Sequence, residues 1–157
     1  VGSYEQALYP LDRIGRWNRL YGRRGFFQFQ GVVPMGAAPA AVAEMLGATA
    51  AAGEGSMLAV LNVFGARPSP GLLSFPMAGA PLALDFPDRG ATTRALLDRL
   101  ERITVAAGGR LYPAKDAVMG AAAFRLGYPQ AERFRRQIDP ALSSAFARRV
   151  ELIAGPA

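Results

Sequence analysis

The stretch Phe26-Phe27-Gln28-Phe29-Gln30-Gly31-Val32-Val33-Pro34 alternates in an unusual way. Side chains of a strand point to opposite faces with a period of two. Read as a strand over 26–33, it puts Phe27, Phe29 and Val33 on one face. Phe26, Gln28, Gln30 and Val32 fall on the other, and Pro34 ends the run. One face therefore asks for a hydrophobic core, while the other offers a pair of amides.

The elements follow outward from that strand. Before it, residues 9–25 carry Pro10, Gly15, Gly22 and Gly25 and read as a loop or partly helical connector bearing Trp17. After it, Pro39 suits a first helical position, and Val42, Met45, Leu46 and Thr49 recur at helical spacing until Gly53 and Gly55. A second strand is expected over 57–64. A Gly/Pro-rich connection over 65–81 is long enough to suggest a binding loop or lid. A third strand over 82–86 is closed by Pro87. Leu96, Leu97, Leu100, Ile103 and Ala107 mark an amphipathic helix over 91–107, stopped by Gly108-Gly109. A short strand over 110–114 follows, limited by Pro113. The tail reads as helical in two pieces, broken near Tyr128-Pro129 and Asp139-Pro140. This order predicts an α+β fold: an antiparallel sheet with helices on one face, a ferredoxin-like βαββαβ core, and a helical C-terminal tail.

Composition narrows the chemistry. At 157 residues the chain suits one domain with its own core. Cysteine and histidine are both absent, which excludes disulfides, thiolate metal sites, histidine triads and the familiar zinc centres; no metal site is expected. The net charge is +6, and among eighteen lysines and arginines there is one lysine, Lys115. Arginine supplies a planar permanent fork, lysine a compact charge on a flexible stem. The arginines are scattered among acidic and apolar neighbours, as solvated helix faces would be. No apolar run is long enough to span a bilayer, and the start shows no secretory pattern, so a cytoplasmic location is expected, with a membrane-associated or periplasmic full-length protein as the alternatives.

Strand parity then assembles a candidate site. If Phe27 and Phe29 enter the core, the opposite face collects Gln28 and Gln30 from the first strand. Leu58, Val60, Asn62 and Phe64 join from the second, and Ala83 and Asp85 from the third. Such a face, mostly apolar with a few amides and one acid, has the make-up of a small-molecule pocket wall. Lys115 and Tyr112 lie at its end.

A set of segments in order carries a resemblance. They are Pro10-Leu11-Asp12-Arg13-Ile14-Gly15-Arg16-Trp17-Asn18-Arg19-Leu20-Tyr21-Gly22, Gln28 to Pro34, Leu73-Ser74-Phe75-Pro76, Leu84-Asp85-Phe86-Pro87, and Gly108-Gly109-Arg110-Leu111-Tyr112-Pro113-Ala114-Lys115-Asp116. With Ile138-Asp139-Pro140 and Ser144 to Arg149 in the tail, they resemble the C-terminal part of FAD-linked oxidoreductases of the vanillyl-alcohol-oxidase-like superfamily. Residues 112–115 are also similar to the His-Trp-Ala-Lys motif of the aldonolactone oxidases. The resemblance implies that residues 26–157 form a substrate-binding domain capping the flavin, with residues 1–25 as a loop over the active site. It makes Gln28, Gln30, Leu58, Val60, Asn62, Phe64, Ala83, Asp85 and Trp17 substrate-binding residues. It places Tyr112 and Lys115 at the flavin edge and the substrate hydroxyl, as catalytic and cofactor-binding groups. Where one branch of the family has a third-strand cysteine this chain has Ala83, and where it has a second-strand lysine this chain has Asn62.

The sequence lacks a Gly-rich pyrophosphate-binding segment. The resemblance therefore implies an N-terminal FAD-binding domain of the same polypeptide as partner, a sugar-like substrate, and an isolated chain that is inactive. Two other classes fit the composition. A basic ferredoxin-like module could bind RNA, but the parity that buries Phe27 and Phe29 removes the stacking platform such folds need. A stand-alone small-ligand or regulatory domain is the other.

Overall fold

In the computed structural model, residues 15, 16, 19, 21–115, 118–139 and 141–153 are described. Trp17, Asp116, Pro140 and most of the connector lie outside them. The order is β1 (Phe26–Val33), α1 (Ala38–Ala51), β2 (Ala59–Leu61), β3 (Ala80–Pro87), α2 (Ala91–Ala106), β4 (Arg110–Leu111), a 3-10 turn (Pro113–Lys115), α3 (Ala121–Gly127), α4 (Ala131–Arg135) and α5 (Ala145–Arg149). The four strands form one antiparallel sheet in the order β2-β3-β1-β4. That is the order in which two split crossovers interleave, so the ferredoxin-like expectation is borne out.

All eight residues of β1 pair with β3, from Phe26 opposite Pro87 to Val33 opposite Ala80. Phe29, Val33, Leu82, Leu84 and Phe86 face the helices and meet Met45, Leu96, Leu97 and Leu100 in one buried cluster. Helix α2 supplies the larger apolar stripe, and its buried Thr104 returns its hydroxyl to the Leu100 carbonyl at 2.8 Å. At the start of α2 the buried Thr93 hydroxyl donates to the Pro87 carbonyl and accepts from the Arg89 amide.

Several boundaries differ from those read in the sequence. Strand β2 keeps only its middle, with a further bridge from Phe64 to Gly79, because it is an edge strand with a neighbour on one side only among the described residues. Strand β3 begins at Ala80, so two residues assigned to the long connection belong to the sheet. Leu46 is exposed: the face of α1 that packs inward carries Ala41, Met45 and Ala48 instead. Strand β4 gives way to the 3-10 turn at Pro113, whose ring cannot donate to a ladder. The tail holds three short helices rather than two.

The turn from α2 into β4 depends on two glycines for different reasons, backbone conformation at Gly108 and space at Gly109. Gly108 has φ +75°, and a Cβ on Gly109 would lie 2.2 Å from the Val32 carbonyl oxygen. Any larger residue at 109 must push β4 away from β1. Gly109→Ala should therefore cost about 1–3 kcal/mol as an overpacked site. Exposed Gly47 of α1, with nothing near its missing Cβ, should gain about 0.5–1 kcal/mol as alanine. Urea unfolding of the two variants checks both; equal midpoints would contradict the contrast.

Candidate functional site

Pairing register now fixes which side chains share the face away from the helices. Gln28 lies opposite Asp85, and Gln30 opposite Ala83, which in turn faces Val60. The Tyr112 amide donates to the Gln30 carbonyl at 2.8 Å, extending the β1–β4 ladder by one residue. A row Val60, Ala83, Gln30, Tyr112 thus crosses all four strands on one side. The Asn62 amide donates to Pro81 and the Phe64 amide to Gly79 in the same register, so both share the parity of Val60. Of the face assembled by parity in the sequence, the register brings together Gln28, Gln30, Val60, Asn62, Phe64, Ala83 and Asp85, while Leu58 lies before β2.

Asp85 is the polar anchor of that face. It is 2% exposed, and its carboxylate accepts from Gln28 Nε2 at 3.1 Å and from the Tyr21 hydroxyl at 3.3 Å. Its own amide donates to Ser56 Oγ at 2.9 Å, and that hydroxyl donates to the Leu58 carbonyl at 2.6 Å. The acid therefore does not stand open to solvent. It orients the Gln28 amide and fastens the connector, while Tyr21 stacks on Phe26 with centroids 4.2 Å apart. A buried carboxylate needs such donors, since an unpaired one would carry a large desolvation cost.

At the other end the long loop folds onto the sheet. Phe75 is buried, stacks on Tyr112 at 4.6 Å, and meets Phe64 edge-on at 5.9 Å. Arg110 Nη1 donates to the carbonyls of Ser74 and Gly127, both at 3.3 Å, while its guanidinium lies over the Tyr128 ring. The connection expected as a lid is pinned to the sheet at Phe75. Val32 and Pro81, on the same parity as the amides, are buried as well.

Beside the end of β4 lies a small cleft lined by Gln28, Gln30, Tyr112 and Lys115 together with Phe29, Leu97, Leu111 and Val118 from the rim of the core. It holds about 10 Å³, whereas cavities of about 350 and 310 Å³ lie at the tail helices and beside the long loop. The face is a wall more than an enclosed pocket. Lys115 is exposed and has no carboxylate partner among the described residues. Trp17 lies outside the described residues, so its place over the entrance stays an expectation.

Tyr21 and Phe75 were not among the residues singled out in the sequence. Both stood inside the recurring segments, yet neither has a periodic signal: Tyr21 reaches Asp85 across 64 positions. Among the described residues no group of acids could hold a metal ion, and no helix is long and apolar enough to cross a membrane.

Fold and register together define an α+β domain with Gln28, Gln30, Val60 and Ala83 on the sheet face away from the helices. Over 98% of its length the chain is 37% identical to decaprenylphosphoryl-beta-D-ribose oxidase of Mycolicibacterium smegmatis (strain ATCC 700084 / mc(2)155), a match covering 34% of that protein. It is also 39% identical, over 54% of its length, to an uncharacterized protein in the mprA 5'region of Streptomyces coelicolor, covering 24% of it. No family model matches. The resemblance read from the sequence segments is borne out by the first of these relatives. The chain spans about a third of that relative's length.

Two phenols report on this architecture. Burial pushes the Tyr21 hydroxyl above its ordinary range, helped by the charge of Asp85 and the bond to it. Burial also raises Tyr128, whose hydroxyl donates to the Leu111 carbonyl at 2.6 Å, with Arg110 opposing the shift. A phenol raised on folding contributes stability that is complete below the free phenol's pKa of about 10 and is lost as pH rises through the folded value. Urea unfolding from neutral to strongly alkaline pH should show this loss. Tyr21→Phe/Tyr128→Phe should flatten that limb; an unchanged slope would refute the assignment.

Proposed function

We propose that this chain is the substrate-binding, flavin-capping portion of an FAD-dependent oxidoreductase that oxidises a sugar or related alcohol. The observation that carries the reading is that Gln28, Gln30, Tyr112 and Lys115 line one cleft beside the end of β4, where the amides of β1 meet the rim of the core at Phe29, Leu97 and Leu111. The similarity to a named ribose oxidase over nearly the whole chain supports it. On this reading residues 26–157 form the capping domain, and residues 1–25, with Trp17, form the loop over its entrance. The FAD-binding domain belongs to the same polypeptide.

The residues present suit a flavin neighbour. Lys115 offers an ammonium with no competing carboxylate among the described residues, on a turn whose amide is tied to the Tyr112 carbonyl at 3.1 Å. Lys115 and Tyr112 are the groups that would meet the flavin and the substrate hydroxyl. When bound, the flavin supplies a hydride acceptor. The chain's own contribution is positional and electrostatic. Gln28, held by Asp85, and Gln30 present amides that can bond to sugar hydroxyls. Val60, Ala83 and Phe64 give an apolar surface against which a ring can lie. Lys115 orients the hydroxyl and stabilises negative charge that develops beside it. Leu58 and Asn62 extend the wall on the second strand, and Asp85 acts through Gln28 rather than on the substrate.

The test uses the whole polypeptide that contains this chain, loaded with FAD. Candidate sugars should reduce the flavin, and Lys115→Ala should slow reduction on the order of a hundredfold and shift the flavin potential. If both quantities match those of the unaltered protein, the role of Lys115 is wrong. Asp85→Asn should raise KM more than it lowers kcat, since it loosens Gln28 and leaves Lys115 in place. An equal fall in kcat with KM unchanged would argue against a positioning role.

A further inference from the structure

The two edges of the sheet are treated differently. Strand β4 is two residues long and runs into Pro113, so that edge offers little to a partner strand. The β2 edge is the opposite. Residues 57–64 read Met-Leu-Ala-Val-Leu-Asn-Val-Phe, with no charge, proline or glycine. Monomeric sheets blunt their edges with such residues, and an unblunted apolar strand is a template for pairing. Leu61 and Val63 point to the helix side by parity, and with Met57 just before the strand they are 57%, 69% and 60% exposed. Neither helix covers that strip.

The outer backbone of β2 meets no strand among the described residues. The amides of Asn62 and Phe64 donate inward to Pro81 and Gly79 of the neighbouring segment. Those of Leu61 and Val63, alternating with them, must then face outward, and no strand meets them among the described residues.

We propose that an apolar β-strand from the part of the same polypeptide outside this chain pairs with the outer edge of β2 and covers Met57, Leu61 and Val63. This rests on the reading of the chain as one portion of a longer oxidoreductase. About two thirds of the ribose oxidase lies outside its match with this chain, which leaves ample polypeptide to supply the strand. A second copy is the weaker occupant, because each chain carries a net charge of +6 and like charges oppose self-association. Pairing of this kind turns β2 from an edge into an interior strand. It thereby fixes Val60 and Phe64 on the binding face.

Residue-resolved amide exchange on the whole polypeptide decides the matter. The expected pattern is protection at Leu61 and Val63 comparable with that at Asn62 and Phe64, independent of protein concentration. Free exchange at Leu61 and Val63 beside protected Asn62 and Phe64 is the signature of an open edge and overturns the proposal. Protection that fades on dilution assigns the edge to a second copy and overturns it equally. Val63→Pro removes only an outward amide, so it should abolish protection at Leu61 while sparing Asn62 and Phe64; retained protection at Leu61 counts against the pairing. Flavin content is measured on the same sample. A polypeptide that holds no flavin defeats the oxidoreductase reading, whereas the amide pattern alone decides the strand.

Discussion

Register between β1 and β3 is the constraint on which the rest of this molecule depends. Every residue of β1 is paired, and the pairing places Phe29 and Val33 against the helices and Gln28 and Gln30 away from them. A slip of one residue would exchange the two sets, burying amides without partners and exposing aromatic rings. The core and the amide-bearing face are therefore not separate achievements of the fold. The same alternation produces both, and the hydrophobic cost of a slip guards the polar face as firmly as the apolar one.

Asp85 shows how that register becomes chemistry. Its neighbours in β3, Leu84 and Phe86, point into the core, so parity turns the acid outward to the face of the amides. Left there alone it would be a solvated carboxylate competing for any hydroxyl that approached. Tyr21 and Gln28 occupy it instead, and the Gln28 amide is left with a defined orientation. A side chain that looks like a ligand-binding acid in the sequence thus becomes a support for a neighbouring amide. The physical reason is burial: a carboxylate at 2% exposure is stable only with its acceptors engaged.

Much of this was legible in the sequence because it depends on period. The alternation in β1, the apolar stripe of α2 and the glycine pair before β4 gave the element order and the membership of the face. What escaped was set by contacts distant in sequence. Leu46 has the spacing of a core residue, but α1 packs through its small side chains and leaves it outside. The eight-residue pattern of the second strand is real, yet only its middle forms a strand where it lies at the edge. Phe75 sits among glycines and prolines that signal a loop. Its stacking on Tyr112 joins segments that no local pattern connects.

The lone lysine depends on this frame more than on its own side chain. Its amide is bonded to Tyr112, whose own amide is bonded to Gln30, while Gly109 lets β4 approach β1 closely enough for that ladder to form. Phase along β1 therefore passes through backbone alone to the turn that carries Lys115. A flexible ammonium gains nothing from a rigid side-chain socket. It needs a fixed root and freedom from carboxylates, and the root is what this backbone provides. Arg110, with a fork that seeks two acceptors at once, is taken up by the carbonyls of Ser74 and Gly127. One cation is committed to holding the loop and the other is left over the cleft.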